Sequence, residues 1–240
     1  MAFTRLAAGM VGLALLAGCA EAAHQDASPT FDPVENGTTA IDTSLPLATQ
    51  LQQAIEAGDV DHVALVLEDY TDLEAELSNG MPPLHYAVRR NQAEIVSILV
   101  DAGAGLETRD SQNLTPLLAA ASFADAEVAE TLLAAGADAN VTDPSFSDRS
   151  ALIYAAQFDK VSTLEVLLDY GADLEYVDGF GATALIAAAF NNNPNSTIFL
   201  VEQGANINHR GGANTTALGW AEYNGDTELA EYLIAAGGVR

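Results

Sequence analysis

The sequence predicts an all-α solenoid of stacked helical hairpins, and three regularities support this prediction. Leucines recur at intervals of 33, 35, 33 and 33 residues, at Leu84, Leu117, Leu152, Leu185 and Leu218. A glycine follows each of them 19 residues later, at Gly103, Gly136, Gly171, Gly204 and Gly237. A Thr or Ser stands two residues before four of the five leucines. A fixed period of this length indicates one supersecondary unit that is repeated and stacked.

Each repeat predicts two helices joined by a short turn. Thr115 is a good N-cap for the first helix, and Pro116 fits its first turn, where a missing amide costs nothing. Gly136 is well placed to end the second helix. Small Ala-Ala pairs allow the first helices to lie close together. The second helices supply larger apolar residues, which are Ile95, Val96, Ile98, Leu99, Val128, Leu132, Leu133, Leu164, Val166 and Leu167.

Two segments carry a family resemblance. Residues 114–120 read Leu-Thr-Pro-Leu-Leu-Ala-Ala, which resembles the ankyrin Thr-Pro-Leu-His-x-Ala motif, and residues 132–140 match its Leu-Leu-x-x-Gly-Ala-Asp-x-Asn motif. The resemblance implies an ankyrin-repeat solenoid of helix-turn-helix repeats with finger turns. The ankyrin-repeat domain is predicted over 47–240, in six repeats with a cap at each end. Their ranges are 47–77, 78–109, 110–142, 143–177, 178–210 and 211–240.

The sequence departs from the family pattern at two places. The motif histidine occurs only at His85, so most of the family's histidine hydrogen bonds are expected to be absent. The interval of 35 residues adds two residues to the finger at 143–149. We expect this longer finger to contact a partner.

The N-terminus predicts export. Residues 1–18 combine one cation with a short apolar stretch, as a signal peptide does, and end before Cys19 in a sequence that resembles a bacterial lipobox. The resemblance implies lipidation of Cys19, anchoring to the envelope facing the periplasm, and a preference for the outer membrane. Cleavage after Ala22 to give a soluble periplasmic protein is the alternative. Residues 19–46 are predicted to be a flexible tether.

Charge and composition exclude some functions. The formal net charge is −26, with only eight basic residues, so we expect no nucleic-acid binding. The four histidines share no metal-ligand spacing, and the sequence contains no nucleophile elbow or phosphate loop. We therefore predict no enzyme activity, no catalytic residues, no metal and no cofactor. His85 is interpreted as structural, and the glycines at 179, 181, 211 and 212 as turn residues with positive φ.

Ankyrin proteins bind partners through their fingers and through the exposed face of the first helices. Four repeats carry an aromatic residue at the two positions that follow the Ala-Ala pair or its equivalent, which predicts an interface for a protein partner. The predicted partner-binding residues are Tyr86, Arg89, Arg90, Phe123, Phe146, Tyr154, Phe158, Phe180, Phe190, Trp220 and Tyr223. Packing of single aromatics between helices is the alternative, and Arg89 and Arg90 fit either an acidic partner or surface ion pairs.

The function predicted from these features is that of a monomeric, membrane-tethered protein that binds another protein through its concave face. Two alternatives stay open. One is an immunity-like inhibitor of a basic periplasmic toxin, and the other is a structural component of the cell envelope without a specific partner. The acidic surface is compatible with a basic partner and equally with simple solubility.

Overall fold

The computed structural model describes residues 41–212 and 214–240, and this part of the chain is an all-α stack. Twelve α-helices in these described residues form six consecutive pairs, which confirms the predicted fold class. The first helix of each pair, here the A helix, is α1 (Leu47–Ala57), α3 (Pro83–Arg89), α5 (Pro116–Phe123), α7 (Ala151–Gln157), α9 (Ala184–Phe190) or α11 (Ala217–Asn224). The B helices are α2 (Val60–Leu67), α4 (Ala93–Asp101), α6 (Ala126–Ala134), α8 (Val161–Asp169), α10 (Pro194–Glu202) and α12 (Thr227–Ala235).

Most A helices begin at the hydroxyl residues that the sequence singles out. The amide of Leu118 donates to Thr115 Oγ1 (3.4 Å), and Ser150, Thr183 and Thr216 cap their helices in the same way. These bonds satisfy an amide that the first helical turn leaves without a partner. Helix α3 begins after Pro82 and has no side-chain cap.

Five of the B helices end at the periodic glycines, which have φ between +84° and +102°. After each glycine, the next amide turns back to the carbonyl five residues earlier, as in the 3.0 Å bond from Ala104 to Leu99. Glycine adopts this left-handed backbone conformation at little cost in free energy, because it has no Cβ. The second periodic signal of the sequence therefore marks the ends of these helices.

The core is continuous along the stack. The leucines of the A helices (Leu84, Leu117, Leu152, Leu185, Leu218) are all buried. The B helices contribute a second buried column, which consists of Val66, Leu99, Leu132, Leu167, Leu200 and Leu233. From the second repeat onward, the Ala-rich A helices pack more closely against one another than the B helices do. The side of the A helices is therefore concave, and we call it the groove face.

A ladder of side chains links the loops that follow the B helices. The amide of Gly105 donates to Glu74 Oε1 (2.7 Å), and that of Asp173 donates to Asn140 Oδ1 (2.8 Å). The equivalent positions Glu107, Glu175 and Asn208 each accept the amide 31 residues further along. Each of these bonds connects one repeat to the next, so the ladder supports the stacking that the core requires.

The longer finger folds as a small hairpin. Strands β1 (Thr142–Asp143) and β2 (Arg149–Ser150) pair antiparallel, and they are the only strands in residues 41–212 and 214–240. A 3₁₀ turn over Pro144–Phe146 follows β1, and Ser147 and Asp148 then adopt positive φ. The hairpin packs against the next finger, because the amide of Gly179 donates to the carbonyl of Ser147 (2.7 Å).

The finger glycines correct one interpretation made from the sequence. Only Gly181 has a positive φ among the glycines at 179, 181, 211 and 212. Gly212 is needed for close approach, since its amide donates to the carbonyl of Phe180 (3.0 Å) and a Cβ there would lie 2.1 Å from that oxygen. The approach at Gly179 is less close, since a Cβ there would lie 3.0 Å from Ser147 Cβ. Neighbouring fingers thus pair through their backbones at positions where a side chain would intrude.

The last residues of the predicted tether contact the first repeat. Ile41 packs against the core, and Gln50 Nε2 donates to the carbonyls of Thr43 (3.2 Å) and Leu45 (2.7 Å). The predicted signal peptide, Cys19 and the rest of the tether lie outside the described residues. Among the helices that are described, none has the length and apolarity needed to cross a membrane.

Candidate partner-binding surface

The aromatic row of the groove face consists of Phe123, Phe158, Phe190 and Tyr223. These residues occupy two adjacent positions of the A helix. Phe123 and Phe158 stand six residues after the periodic leucine of their repeats, whereas Phe190 and Tyr223 stand five residues after theirs. Phe123 is 40% exposed, Phe158 is 36% exposed and Tyr223 is 64% exposed. Three of the predicted anchors therefore present their rings to solvent, as a binding surface requires.

Phe190 is half-buried in a C-terminal aromatic cluster. Its ring meets Trp220 edge-on with a centroid distance of 4.8 Å, and Trp220 meets Tyr223 at 5.8 Å. Edge-to-face pairs of this kind stabilise beyond the area that they bury. The cluster fixes Tyr223 at the edge of the groove face in the last repeat.

Two predicted surface residues are buried, which corrects the prediction. Tyr86 is 7% exposed and Trp220 is 3% exposed. The position two residues after the periodic leucine alternates along the stack as Tyr86, Ala119, Tyr154, Ala187 and Trp220. A small residue beside each large one gives the aromatic ring room between repeats, so these rings fill the stack rather than flank the groove.

Tyr86 also belongs to a polar contact between the first two repeats. Its hydroxyl donates to Glu56 Oε1 (3.0 Å), and burial, followed by this bond, raises the pKa of Tyr86 to about 12. The phenol is therefore neutral throughout the physiological range. The contacts of Tyr86 with the first repeat account for its position, so no partner protein is needed to explain it.

The finger aromatics pack around an arginine that the prediction omits. The guanidinium of Arg149 lies 4.7 Å from the ring centroid of Phe146, 5.8 Å from that of Tyr154 and 5.9 Å from that of Phe180. Phe146 and Phe180 contact each other at 6.1 Å and are half-buried. They form one cluster between two fingers and do not project from them separately.

The buried aspartates of the fingers hold this cluster in place. Asp178 Oδ1 accepts the amides of Phe180 (2.9 Å) and Ala182 (2.8 Å), while its Oδ2 lies 3.5 Å from Arg149 Nε. Asp143 Oδ2 accepts a hydrogen bond from the hydroxyl of Tyr154 (2.7 Å). A sequence signal for these residues exists, because Asp110, Asp143 and Asp178 follow the same spacing of 33 and 35 residues as the leucines.

The paired arginines of the second repeat are used within the chain. Arg89 forms an ion pair with Asp110 (3.3 Å), and its guanidinium lies 4.7 Å from the ring centroid of Phe123. Arg90 donates to the carbonyl of Glu56 (2.7 Å). The sequence left two interpretations open for this pair, an acidic partner or surface ion pairs. In the structure, both arginines make contacts within the chain.

His85 is fully buried and contacts the next repeat. Its Nε2 donates to the carbonyl of Leu114 (2.9 Å), which is the structural role predicted from the motif. Burial lowers the pKa of His85, and the bond to Leu114 only partly opposes this shift. Residues 41–212 and 214–240 contain no group of three or more His, Cys, Asp or Glu side chains that could hold a metal ion.

Comparison with protein families assigns this arrangement. A family model described as ankyrin repeats (3 copies) matches residues 51–143, 120–211 and 152–239. The chain belongs to the ankyrin-repeat family. No curated protein matches the chain. Ankyrin repeats support a role in protein–protein interaction, and they are generally scaffolds without enzyme activity.

Charge separates the two faces of the ankyrin stack. The B helices carry ten acidic residues and no Lys or Arg; these are Asp61, Glu94, Asp101, Glu127, Glu130, Glu165, Asp169, Glu202, Glu228 and Glu231. The A helices α5, α7 and α9 carry no charged residue. The groove face is thus neutral and aromatic along its centre, whereas the opposite face is anionic.

Proposed function

We propose that this ankyrin-repeat protein binds another protein through its groove face, as an exported scaffold tethered to the membrane through Cys19. The observation that carries the proposal is the set of exposed rings at Phe123, Phe158 and Tyr223 on a face without charged residues at its centre. Exposed aromatic residues on a rigid support are typical anchors of protein interfaces. The A helices and fingers hold these rings in place before a partner arrives, which lowers the cost of ordering them.

The cellular setting is proposed from the first nineteen residues. The apolar stretch before Leu16-Ala17-Gly18-Cys19 is typical of a lipoprotein signal peptide, and lipid on Cys19 anchors the mature chain to the envelope. Metabolic labelling with a radioactive fatty acid tests this part of the proposal. We expect label on the native chain and none on Cys19→Ala; equal labelling of both contradicts the anchor.

Partner binding is tested by removing the exposed rings. A triple variant with alanine at Phe123, Phe158 and Tyr223 is compared with the native protein in pull-downs from envelope extracts. The matched control replaces three exposed apolar residues of the B-helix side, Leu65, Tyr170 and Ile234, with alanine. The control removes apolar surface of the same kind from the opposite face, so it separates groove binding from general stickiness.

The expected result is loss of the captured protein by the groove variant and retention by the control. Circular dichroism of both variants shows whether the helices are intact. Equal capture by all three proteins, with intact helices, contradicts the groove assignment. A deletion phenotype that neither variant reproduces points instead to a structural envelope component. If the control alone loses its partner, the anionic B-helix side is the interface, as expected for neutralisation of a basic toxin.

A further inference from the structure

The chemistry of the groove partner can be inferred from the cations of the chain. Residues 41–212 and 214–240 contain seven Lys and Arg residues against thirty Asp and Glu residues. Every one of the seven contacts a group of the chain itself. Arg89 and Arg240 pair with carboxylates, Arg149 pairs with Asp178 and donates to Gln157, and Arg90, Arg109, Lys160 and Arg210 donate to backbone carbonyls.

The groove face is neutral at its centre and lies within the net negative field of the described residues. The seven cations keep their charge in these contacts but are outnumbered by thirty acidic residues, so the net field repels an acidic or phosphorylated segment. Basic segments are attracted by the same field, which raises their association rate and falls with salt. Charge complementarity thus selects a partner segment that carries Lys or Arg.

The chain itself shows how a cation fits these rings. Arg89 lies against Phe123 while Asp110 pairs with it, and Arg149 lies among Phe146, Tyr154 and Phe180 beside Asp178. An aromatic ring beside a carboxylate is a favourable site for a guanidinium. The carboxylates that follow the other exposed rings in sequence are engaged elsewhere, because Asp159 accepts from Asn195 and Ser196 and Asp226 caps helix α12. A cation over Phe158 or Tyr223 is therefore held by the ring and by the net negative charge of the chain.

The repeat spacing sets the spacing of the partner's side chains. Packed helices lie about 8–10 Å apart. An extended segment in the polyproline II conformation advances about 3.1 Å per residue with three residues per turn, so every third side chain faces the same way, unlike the alternating side chains of a β-strand. One residue in three of an extended segment therefore meets each successive A helix. From Phe123 in the third repeat to Tyr223 in the sixth there are three such steps, or about nine residues of an extended segment.

We infer that the groove face binds an extended basic segment of a partner protein, with Arg or Lys at about every third residue. The inference rests on the proposed function and adds the chemistry of the partner to it. The cationic side chains lie over the rings of Phe158 and Tyr223 and against the part of the Phe123 ring that Arg89 leaves exposed. The small residues between them let the segment lie close to the alanine-rich A helices.

Synthetic peptides test this inference on the full-length protein. The probe is a fluorescein-labelled peptide of about twelve residues with Arg at every third position and Ser or Gly elsewhere, which matches the spacing derived above. A second peptide has the same composition with its Arg residues in one block, and a third has Glu in place of Arg. Fluorescence anisotropy measures their affinities at about 0.05 M and about 0.5 M salt.

We expect the spaced peptide to bind about tenfold more tightly than the block peptide, since each exposed cation–π contact contributes a modest factor and only the spaced peptide makes three at once. The Phe123/Phe158/Tyr223 alanine variant is expected to lose this preference, and the Leu65/Tyr170/Ile234 variant to keep it. Salt weakens both basic peptides but preserves their order.

Three results overturn the inference. They are equal affinities for the spaced and block peptides, binding of the Glu peptide as tight as that of the spaced one, and an unchanged preference in the groove variant. These failures are distinguishable from failure of the proposed function. If the groove variant still loses its captured protein while the peptides show no preference, the partner chemistry is wrong and the groove assignment stands.

Discussion

Replacing Gly212 with alanine tests how the fingers pair along the ankyrin stack. The new Cβ would lie 2.1 Å from the carbonyl oxygen of Phe180, well inside van der Waals contact, so the two fingers must separate. Separation breaks the 3.0 Å hydrogen bond from Gly212 to Phe180. Gly211→Ala is the matched control, because its Cβ would come no closer than 3.3 Å to Ile186 and 3.5 Å to the carbonyl oxygen of Gly181, and its φ is not positive.

The magnitude follows from two opposing effects. Gly→Ala at a permitted φ stabilises by about 0.4–1 kcal/mol, because it restricts the unfolded chain. Loss of a backbone hydrogen bond that leaves a poorly solvated group costs about 1–3 kcal/mol. Both variants gain the first effect and only Gly212→Ala suffers the second. The free energies of unfolding of the two variants should therefore differ by about 1–3 kcal/mol, with Gly211→Ala about 0.4–1 kcal/mol more stable than the native protein.

Urea denaturation measures this difference, and the fluorescence of the single tryptophan reports unfolding near the altered finger. Trp220 is buried in the same repeat as the altered finger, so its fluorescence reports the C-terminal end of the stack while circular dichroism reports all helices. The expected result is a lower urea midpoint for Gly212→Ala at an unchanged slope. Equal midpoints for the two alanine variants would refute the close-approach role and favour a common turn role for both glycines.

Two further predictions concern the buried column and the buried histidine. Leu132 is 0% exposed, so Leu132→Ala should lower the free energy of unfolding by about 2–5 kcal/mol, whereas alanine at exposed Leu65 should cost well under half of that; equal losses in urea denaturation would contradict the assigned core. The pKa of His85 is lowered below 6.5 by burial, so the unfolded state binds its proton first and stability falls as pH drops below 6.5. Between about pH 7.5 and about pH 5.5 the native protein should lose about 1 kcal/mol more than His85→Gln, and identical pH profiles would show that the buried imidazole does not titrate in this way.

The regular part of the fold could be predicted because its signals are local. Thr115 and Ser150 cap helices within three residues of themselves, and Gly136 ends a helix through its own φ. The Glu and Asn ladder that begins at Glu74 follows the same spacing, so it could have been found by extending the register of the glycines. Signals of this kind depend on residues that are close together in the sequence, so they can be recognised from the sequence alone.

The candidate site was harder to predict because exposure depends on the adjacent repeat. Trp220 is buried because Phe190 packs against it and a small residue, Ala187, lies at the equivalent position of the preceding repeat. Arg149 is enclosed by Phe180, which lies 31 residues away. The alternation of aromatic residues and alanine after the periodic leucines was visible in the sequence. It predicts burial only when the way in which neighbouring repeats pack against each other is known.

The net negative charge of the chain opposes self-association through the exposed rings. Aromatic residues on an open face favour self-association, because burying them removes apolar surface from water. A second copy carries the same net negative charge, so the two chains repel one another as they approach, and this repulsion weakens as salt is added. A basic partner meets no such barrier. The acidic surface thus disfavours pairing of the groove face with another copy of itself and leaves that face accessible to a partner of opposite charge.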